Sequence, residues 1–181
     1  MRYVAFFRGI NVGGKNIVKM AELKQMFADL GFTEVKNYIQ SGNICFSCEN
    51  DEHAIKKHIS EAFEAKFGFP SAVVIRSQEE MEDIVYSMPF AEAEIAYARE
   101  NYPEVEHIYI YLSDSEIDKD QAEQLLSKTE GEDKIHVRKR EIYFLCVQGI
   151  RNSKMAASIA KLPQQLTARN YKTMGKINSV L

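Results

Sequence analysis

Apolar positions follow two rhythms along this chain, and the rhythms alternate. Tyr3–Phe7 is a continuous apolar run, short enough for a buried strand. Met20, Leu23, Met26, Phe27 and Leu30 then recur at steps of three and four, the spacing of one helical face, with Gly31 as a stop. Val35–Gln40 and Ile44–Cys48 predict two strands, with Ser41-Gly42-Asn43 as the tight turn between them. Asn50 or Asp51 can cap a second helix that sets Ile55, Ile59, Ala62, Phe63 and Phe67 on one side and ends at Gly68. Ala72–Ile75 predicts a fourth strand. The order is strand, helix, strand, strand, helix, strand.

Ser77 and Glu80 form a capping box for a helix through Met81, Ile84 and Val85 that Pro89 terminates. The acidic stretch from there to Glu106 has little regular pattern and reads as a connection. The first order then returns: a strand at Ile108–Leu112, and a helix capped by Ser113 or Ser115 with Ile117, Ala122, Leu125 and Leu126 inward. A hairpin of Ile135–Val137 and Ile142–Val147 turns at Lys139-Arg140. A helix over Ser153–Leu162, a strand at Gln165–Arg169 and a closing helix complete the chain. The expected fold class is α+β, with two ferredoxin-like units (α–β plaits) in tandem. The expected boundaries are 1–88, an acidic connection at 89–105, and 106–181.

Composition narrows the setting. A chain of 181 residues, 45% of them hydrophobic, buries about 70% of its unfolded surface without help from disulfides or metals. Its 3 cysteines cannot all pair, which favours a reducing compartment. No apolar run approaches the ~20 residues of a membrane span. Charge returns at Arg8 with no cleavage-site pattern behind it, so the opening run reads as a strand in preference to a leader. A cytoplasmic protein with no membrane partner is expected. The net charge of -3 hides an asymmetry: Lys134–Leu181 holds ten Lys+Arg against one acid, Glu141, whereas Glu79–Asp133 holds three against seventeen. A basic C-terminal third suggests an anionic partner, including nucleic acid. Neutralisation of one segment by the other is the simpler expectation, since opposite charges on one chain meet before any partner arrives.

One stretch invites a chemical reading. FRGINVGGKN, residues Phe7 to Asn16, fits the phosphate-loop template through Gly9, Gly14 and Lys15, but Asn16 stands where a hydroxyl should hold magnesium. A hydrolytic loop also needs a parallel sheet and a helix starting at the lysine. Here the helical stripe starts near Met20, and the next two strands form an antiparallel hairpin. Nucleotide hydrolysis is therefore not expected. In a strand–helix–strand path the Gly9–Asn16 loop and the Ser41-Gly42-Asn43 turn lie at one end of the sheet, which brings Arg8 close to Asn43. Two polar, glycine-containing loops there make a candidate anion pocket; a flexible turn is the alternative.

These residues also carry a resemblance. YVAFFRGINVGGKN, MAELKQMFADLGF, YIQSGN, MPF and TARNYKT resemble a widespread bacterial family known only as a domain of unknown function, over nearly the whole chain. Phe6-Phe7 stand where leucines are common, and Tyr171 where the residue varies. The resemblance implies a pair of α–β plaits and no established activity. Its hallmark positions are Arg8, Gly9, Asn11, Gly13, Gly14, Lys15, Ser41, Gly42, Asn43, Thr167, Arg169, Asn170 and Thr173.

Other constellations are weaker. Cys45-Phe46-Ser47-Cys48 has C-x-x-C spacing, but residues three apart on a strand face opposite ways. His53, His58, His107 and His136 lack ligand spacing, and no catalytic triad can be nominated. Tyr109, Tyr111 and Tyr143 could stack bases, though the aromatic glycine-rich octapeptide of RNA-binding modules is missing. No metal and no cofactor are expected. The leading expectation is a phosphorylated or otherwise anionic small ligand, held by Arg8, Asn11, Gly13, Gly14, Lys15, Ser41, Gly42 and Asn43, with Arg169 and Asn170 brought in from the C-terminal segment. Arginine forks suit phosphate oxygens, and glycines expose N–H groups. Whether a reaction follows is left open. Nucleic-acid binding through the basic third, or a purely structural module, are the alternatives.

Overall fold

The computed structural model describes residues 1–129 and 131–181. The described residues form an α+β protein with two four-stranded antiparallel sheets. The first run of elements is β1 (Arg2–Phe7), α1 (Met20–Asp29), β2 (Thr33–Asn37), β3 (Asn43–Ser47), α2 (Glu52–Phe67), β4 (Val73–Ser77) and α3 (Gln78–Tyr86). The second is α4 (Glu92–Asn101), β5 (Ile108–Ser113), α5 (Lys119–Ser127), β6 (Lys134–Val137), β7 (Glu141–Leu145), α6 (Lys154–Ile159), β8 (Leu166–Asn170) and α7 (Tyr171–Val180). By packing, the chain divides into one unit of Met1–Asp83 with Gly175–Leu181 and another of Ile84–Met174. Among the described residues no helix is long and apolar enough to cross a membrane.

In the first unit the strand order is β2-β3-β1-β4. Central β1 pairs Phe6 with Asn43 on one side and Phe7 with Val73 on the other. Its alternate residues Tyr3, Ala5 and Phe7 face a core built with Leu23 and Phe27 of α1 and Ile55, Ile59 and Phe63 of α2. Phe7 and Phe63 lie 5.0 Å apart between ring centres, and Phe27 meets Phe46 edge-on at 5.1 Å. Val4 and Phe6, on the opposite face of β1, are buried as completely. Helix ends follow local chemistry: Asp51 Oδ1 accepts the Ala54 N–H at 2.9 Å, and left-handed Gly68 (φ 77) ends α2. Ser77 and Glu80 exchange the two capping-box bonds, at 2.9 and 3.2 Å.

The predicted strand at Val35–Gln40 is displaced. β2 starts at Thr33, carries a bulge between Thr33 and Lys36, and ends at Asn37. Its Glu34 sits at φ 51, and residues 38–42 form the connection to β3. An edge strand tolerates such a bulge because only one ladder is disturbed.

The second unit has strand order β6-β7-β5-β8, with Tyr111, Ile142 and Phe144 packed against Leu125, Met155 and Ile159. Helix α5 starts later than expected, so Ser113 and Ser115 are not its caps. Asp118 is, accepting the Gln121 N–H at 2.8 Å while Gln121 reaches back to the Asp118 N–H at 3.3 Å. The stretch read as an irregular acidic connection contains α4, in which Ala98 is fully buried. Its stripe is too thin to read because small alanines replace the usual large apolar residues. The closing helix, expected in the second unit, has its last six residues, together with Leu181 after it, in the first.

The charge asymmetry is partly settled inside the second unit. Lys134 bonds Glu94, and Lys172 lies 3.4 Å from Glu106, so basic residues of the last third meet acids of the middle. The Lys134 contact and the Ala91 N–H together hold the Glu94 carboxyl below the usual carboxylate range.

Candidate functional site

The loop after β1 is a miniature hairpin. Val12 and Lys15 pair across Gly13 and Gly14, the Lys15 N–H reaches the Val12 carbonyl at 3.1 Å, and both glycines are left-handed, at φ 58 and 74. Two successive positive φ angles define the turn that matches the twist of a two-residue hairpin, and glycine adopts them without a clash. The loop is therefore a hairpin tip, four residues short of α1, beside an antiparallel sheet. It lacks the helix N-terminus that a phosphate loop aims at its nucleotide.

Asn11 ties this loop down. Its Nδ2 donates to the carbonyls of Val18 at 2.9 Å and Gln40 at 3.0 Å, and its Oδ1 accepts the Val18 N–H at 2.8 Å. Asn16 donates from Nδ2 to the Gly9 carbonyl at 3.1 Å, and its own carbonyl accepts the Asn11 N–H at 3.1 Å. Both asparagines are left-handed, at φ 55 and 50, a conformation this side chain tolerates better than most.

The Ser41-Gly42-Asn43 turn lies at the same end of the sheet. The Gly42 carbonyl accepts the Phe7 N–H at 2.8 Å, and buried Asn43 donates to Ser41 Oγ at 2.8 Å and the Tyr38 carbonyl at 3.2 Å. A Cβ on Gly42 would lie 2.7 Å from Ile10 Cδ1 and 2.9 Å from Phe7 Cβ. Only glycine lets the two loops approach so closely.

Within this frame the candidate residues separate into two groups. Asn11, Ser41, Gly42 and Asn43 are engaged in holding the loops together. Arg8, Gly13, Gly14 and Lys15 are exposed. The Arg8 backbone is fixed, its N–H on the Ala72 carbonyl at 2.9 Å and its carbonyl accepting Ser71 Oγ at 3.0 Å. Among the described residues, neither the Arg8 guanidinium nor the Lys15 ammonium has a partner, and the Gly13 and Gly14 N–H groups meet no protein acceptor.

Arg169 and Asn170 belong to the second unit, at the junction of β8 and α7. Arg169 Nη1 donates to Thr167 Oγ1 at 2.9 Å and the Ala168 carbonyl at 2.8 Å, and burial pushes the guanidinium down to about 10. Asn170 Oδ1 accepts the Thr173 N–H at 2.8 Å and so caps α7. The bonds of the closing motif brace a strand-to-helix junction.

Burial engages several residues of the remaining constellations. All three cysteines are free thiols, and burial pushes Cys45 and Cys146 up to about 11. Tyr143 is fully buried with its hydroxyl on the Ile84 carbonyl at 3.0 Å, and Tyr111 is buried too, so neither offers a face to a base. His107 is buried with Nδ1 and Nε2 each 3.0 Å from a carbonyl, those of Cys146 and Tyr102. Among the described residues no group of three His, Cys, Asp or Glu is placed to hold a metal. A cavity of about 450 Å³ in the second unit is lined by Asp133, Cys146 and Ser153. Asp133 already accepts the Val147 N–H at 2.9 Å and the Ser153 hydroxyl at 3.4 Å.

Sequence reasoning passed over Val12, Ile17 and Ile39, which are exposed at the loop end of the first sheet. The signal was present for Val12 and Ile17, aliphatic residues outside any helical or strand stripe in a segment rich in turn residues. Ile39, by contrast, falls inside the strand expected at Val35–Gln40 and is released from it only by the earlier end of β2 at Asn37.

Residues 1–143 match the pattern of a family described as protein of unknown function, DUF1697. Among solved structures, conserved bacterial protein SP0830 from Streptococcus pneumoniae is similar at 26% identity and TM-score 0.76, over 99% of this chain and 97% of that one. The acetolactate synthase small subunit from Thermotoga maritima aligns over 93% of this chain and 96% of its own at 17% identity, but its TM-score of 0.23 gives that likeness no weight. Among curated proteins none matches the chain.

Proposed function

We propose, for a chain that belongs to the DUF1697 family, that the loop end of its first sheet binds a phosphorylated or otherwise anionic small ligand. One observation carries this reading. Arg8 and Lys15 present unpartnered cations from a backbone that Asn11 and Asn16 hold in one conformation. A loop whose backbone is already set has less to order on binding than a mobile loop would. Gly13 and Gly14 add exposed N–H groups beside it. Ser41, Gly42 and Asn43 support the site from the neighbouring loop, and Asn11 joins the two. Arg169 and Asn170 are left out, because the bonds to Thr167, Ala168 and Thr173 lie within the second unit.

Two finer readings accompany it. We read each sheet with its helices as a ferredoxin-like plait, supported by the order β2-β3-β1-β4 and its counterpart β6-β7-β5-β8. We read the protein as cytoplasmic, supported by three unpaired thiols.

The test is a melting screen against sulfate, sugar phosphates and nucleotides. A bound anion at a hundred times its dissociation constant should stabilise the fold by about 2.7 kcal/mol, or about 5–10 °C. Arg8→Ala and Lys15→Ala should each diminish that shift while leaving the empty protein's melting temperature where it was, since neither cation has a partner to lose. The reading fails if no anion shifts the wild type, or if the shift survives both substitutions together. A shift given only by polynucleotides, and lost steeply with salt, would favour nucleic-acid binding in its place.

A further inference from the structure

The loop end of the first sheet holds three large apolar side chains in solvent: Val12 and Ile17, each 65% exposed, and Ile39, 49% exposed. They sit on the two loops that Asn11 ties together through Val18 and Gln40. Single apolar residues scattered over a surface need no explanation, but three on two adjoining loops do. Ile39 adds backbone strain. Its φ is 50, in the left-handed region where a β-branched residue clashes with its own backbone. Neighbouring bonds hold it there, the Tyr38 N–H on the Asn43 carbonyl at 3.0 Å and the Gln40 carbonyl on Asn11 at 3.0 Å. The strain is thus maintained by the fold without burying the side chain in return, a pattern that points to use.

Charge stands beside these groups. Val12 and Lys15 oppose each other across the Gly13-Gly14 turn, and directly opposed residues project from the same face of an antiparallel pair. An isopropyl group and an ammonium therefore stand side by side. No acidic residue occurs from Arg8 to Ala21.

We infer that the ligand of this loop end is a phosphate ester with an apolar or heteroaromatic body, and not a bare oxyanion or a sugar phosphate. This rests on the anion-binding reading above and specifies its ligand. Arg8 and Lys15 attract the phosphate, and Val12, Ile17 and Ile39 take the apolar part out of water. A polyhydroxylated body would leave those aliphatic surfaces wet and gain nothing from them. The shared chemistry has two sources, a soluble nucleotide or the head region of an anionic lipid.

The experiment titrates the full chain at one ionic strength with inorganic phosphate, ribose 5-phosphate and adenosine 5′-monophosphate. In parallel the chain is sedimented with phosphatidylglycerol and with phosphatidylcholine vesicles. The nucleotide should bind about tenfold more tightly than ribose 5-phosphate. The double substitution Val12→Ser, Ile17→Ser should erase that advantage and leave the affinity for inorganic phosphate and the melting temperature unchanged. Retention by phosphatidylglycerol vesicles without nucleotide preference assigns the lipid source, and the same double substitution should then release the protein. Equal affinity for the three soluble ligands with no vesicle retention overturns the inference and leaves the anion site standing, as does a nucleotide preference that survives the double substitution. Binding of none of these ligands ends both.

Discussion

Gly42 and Gly13 share a left-handed backbone, yet the space around them differs. A methyl group at Gly42 would meet Ile10 and Phe7 below 3.0 Å, whereas nothing lies within 4 Å of one at Gly13. Gly13→Ala should therefore cost about 1–2 kcal/mol of left-handed strain alone, and Gly42→Ala about 1–3 kcal/mol more from overpacking. Urea denaturation of the two variants reads the difference directly. The cysteines make a second prediction at this scale. Native protein at pH 8 should be alkylated at Cys48 only, because Cys45 and Cys146 are buried and their thiols are pushed up to about 11. The sign of the linked pH effect follows. The raised folded values favour the native state below the ordinary value of 9.0, and that contribution is lost as pH rises toward about 11. Melting temperature should fall across this window, and the double substitution Cys45→Ala, Cys146→Ala should flatten the fall.

At the scale of elements, caps decide where helices begin, and α5 separates two candidates. The Asp118–Gln121 exchange closes its first turn, while Ser115 Oγ makes only a 3.4 Å bond to Asp114. Asp118→Ala should cost about 1 kcal/mol, and Ser115→Ala should stay within about 0.5 kcal/mol; chemical denaturation of both variants checks this. The serines are nearer in sequence to the strand they follow, which made them natural caps on paper. The chain instead uses residues 114–118 to leave the sheet, with the Asp114 N–H on the Gln165 carbonyl at 3.2 Å and the Ile117 N–H on the Lys139 carbonyl at 2.8 Å. Both partners lie far along the chain, so no local pattern announces them.

At the scale of the molecule, the C-terminal segment is the unexpected part. Gly175–Leu181 packs as part of the first unit, and its Ile177 and Leu181 are buried. Removing these seven residues takes away two buried aliphatic side chains, each worth about 2–5 kcal/mol on truncation to alanine. Against a total stability of about 5–15 kcal/mol, that loss should melt the shortened chain far below the full one, or prevent folding altogether. Circular dichroism against temperature decides it. A shortened chain melting with the full-length protein would mean that these residues carry no part of the first unit's stability.

Much of this architecture was determined by short runs of sequence. The steps of three and four through Leu23, Met26 and Phe27, and through Ile55, Ile59 and Phe63, place helices because one face must leave water. The apolar run Tyr3–Phe7 and the glycines after it specify a buried strand and a turn from contiguous residues alone. Even the meeting of the Gly9–Asn16 loop with the Ser41-Gly42-Asn43 turn followed from the direction each strand must run. What each hallmark side chain does at that meeting could be decided only by tertiary structure. Asn11 and Lys15 look equally suited to a ligand on paper. The Asn11 amide is engaged by a carbonyl twenty-nine residues away, and the Lys15 ammonium meets no partner among the described residues. Helix α4 and the membership of Gly175–Leu181 were illegible for the same reason. Periodicity and capping are written within a few neighbouring residues, whereas burial and hydrogen-bond partnership depend on groups that only the folded chain brings together.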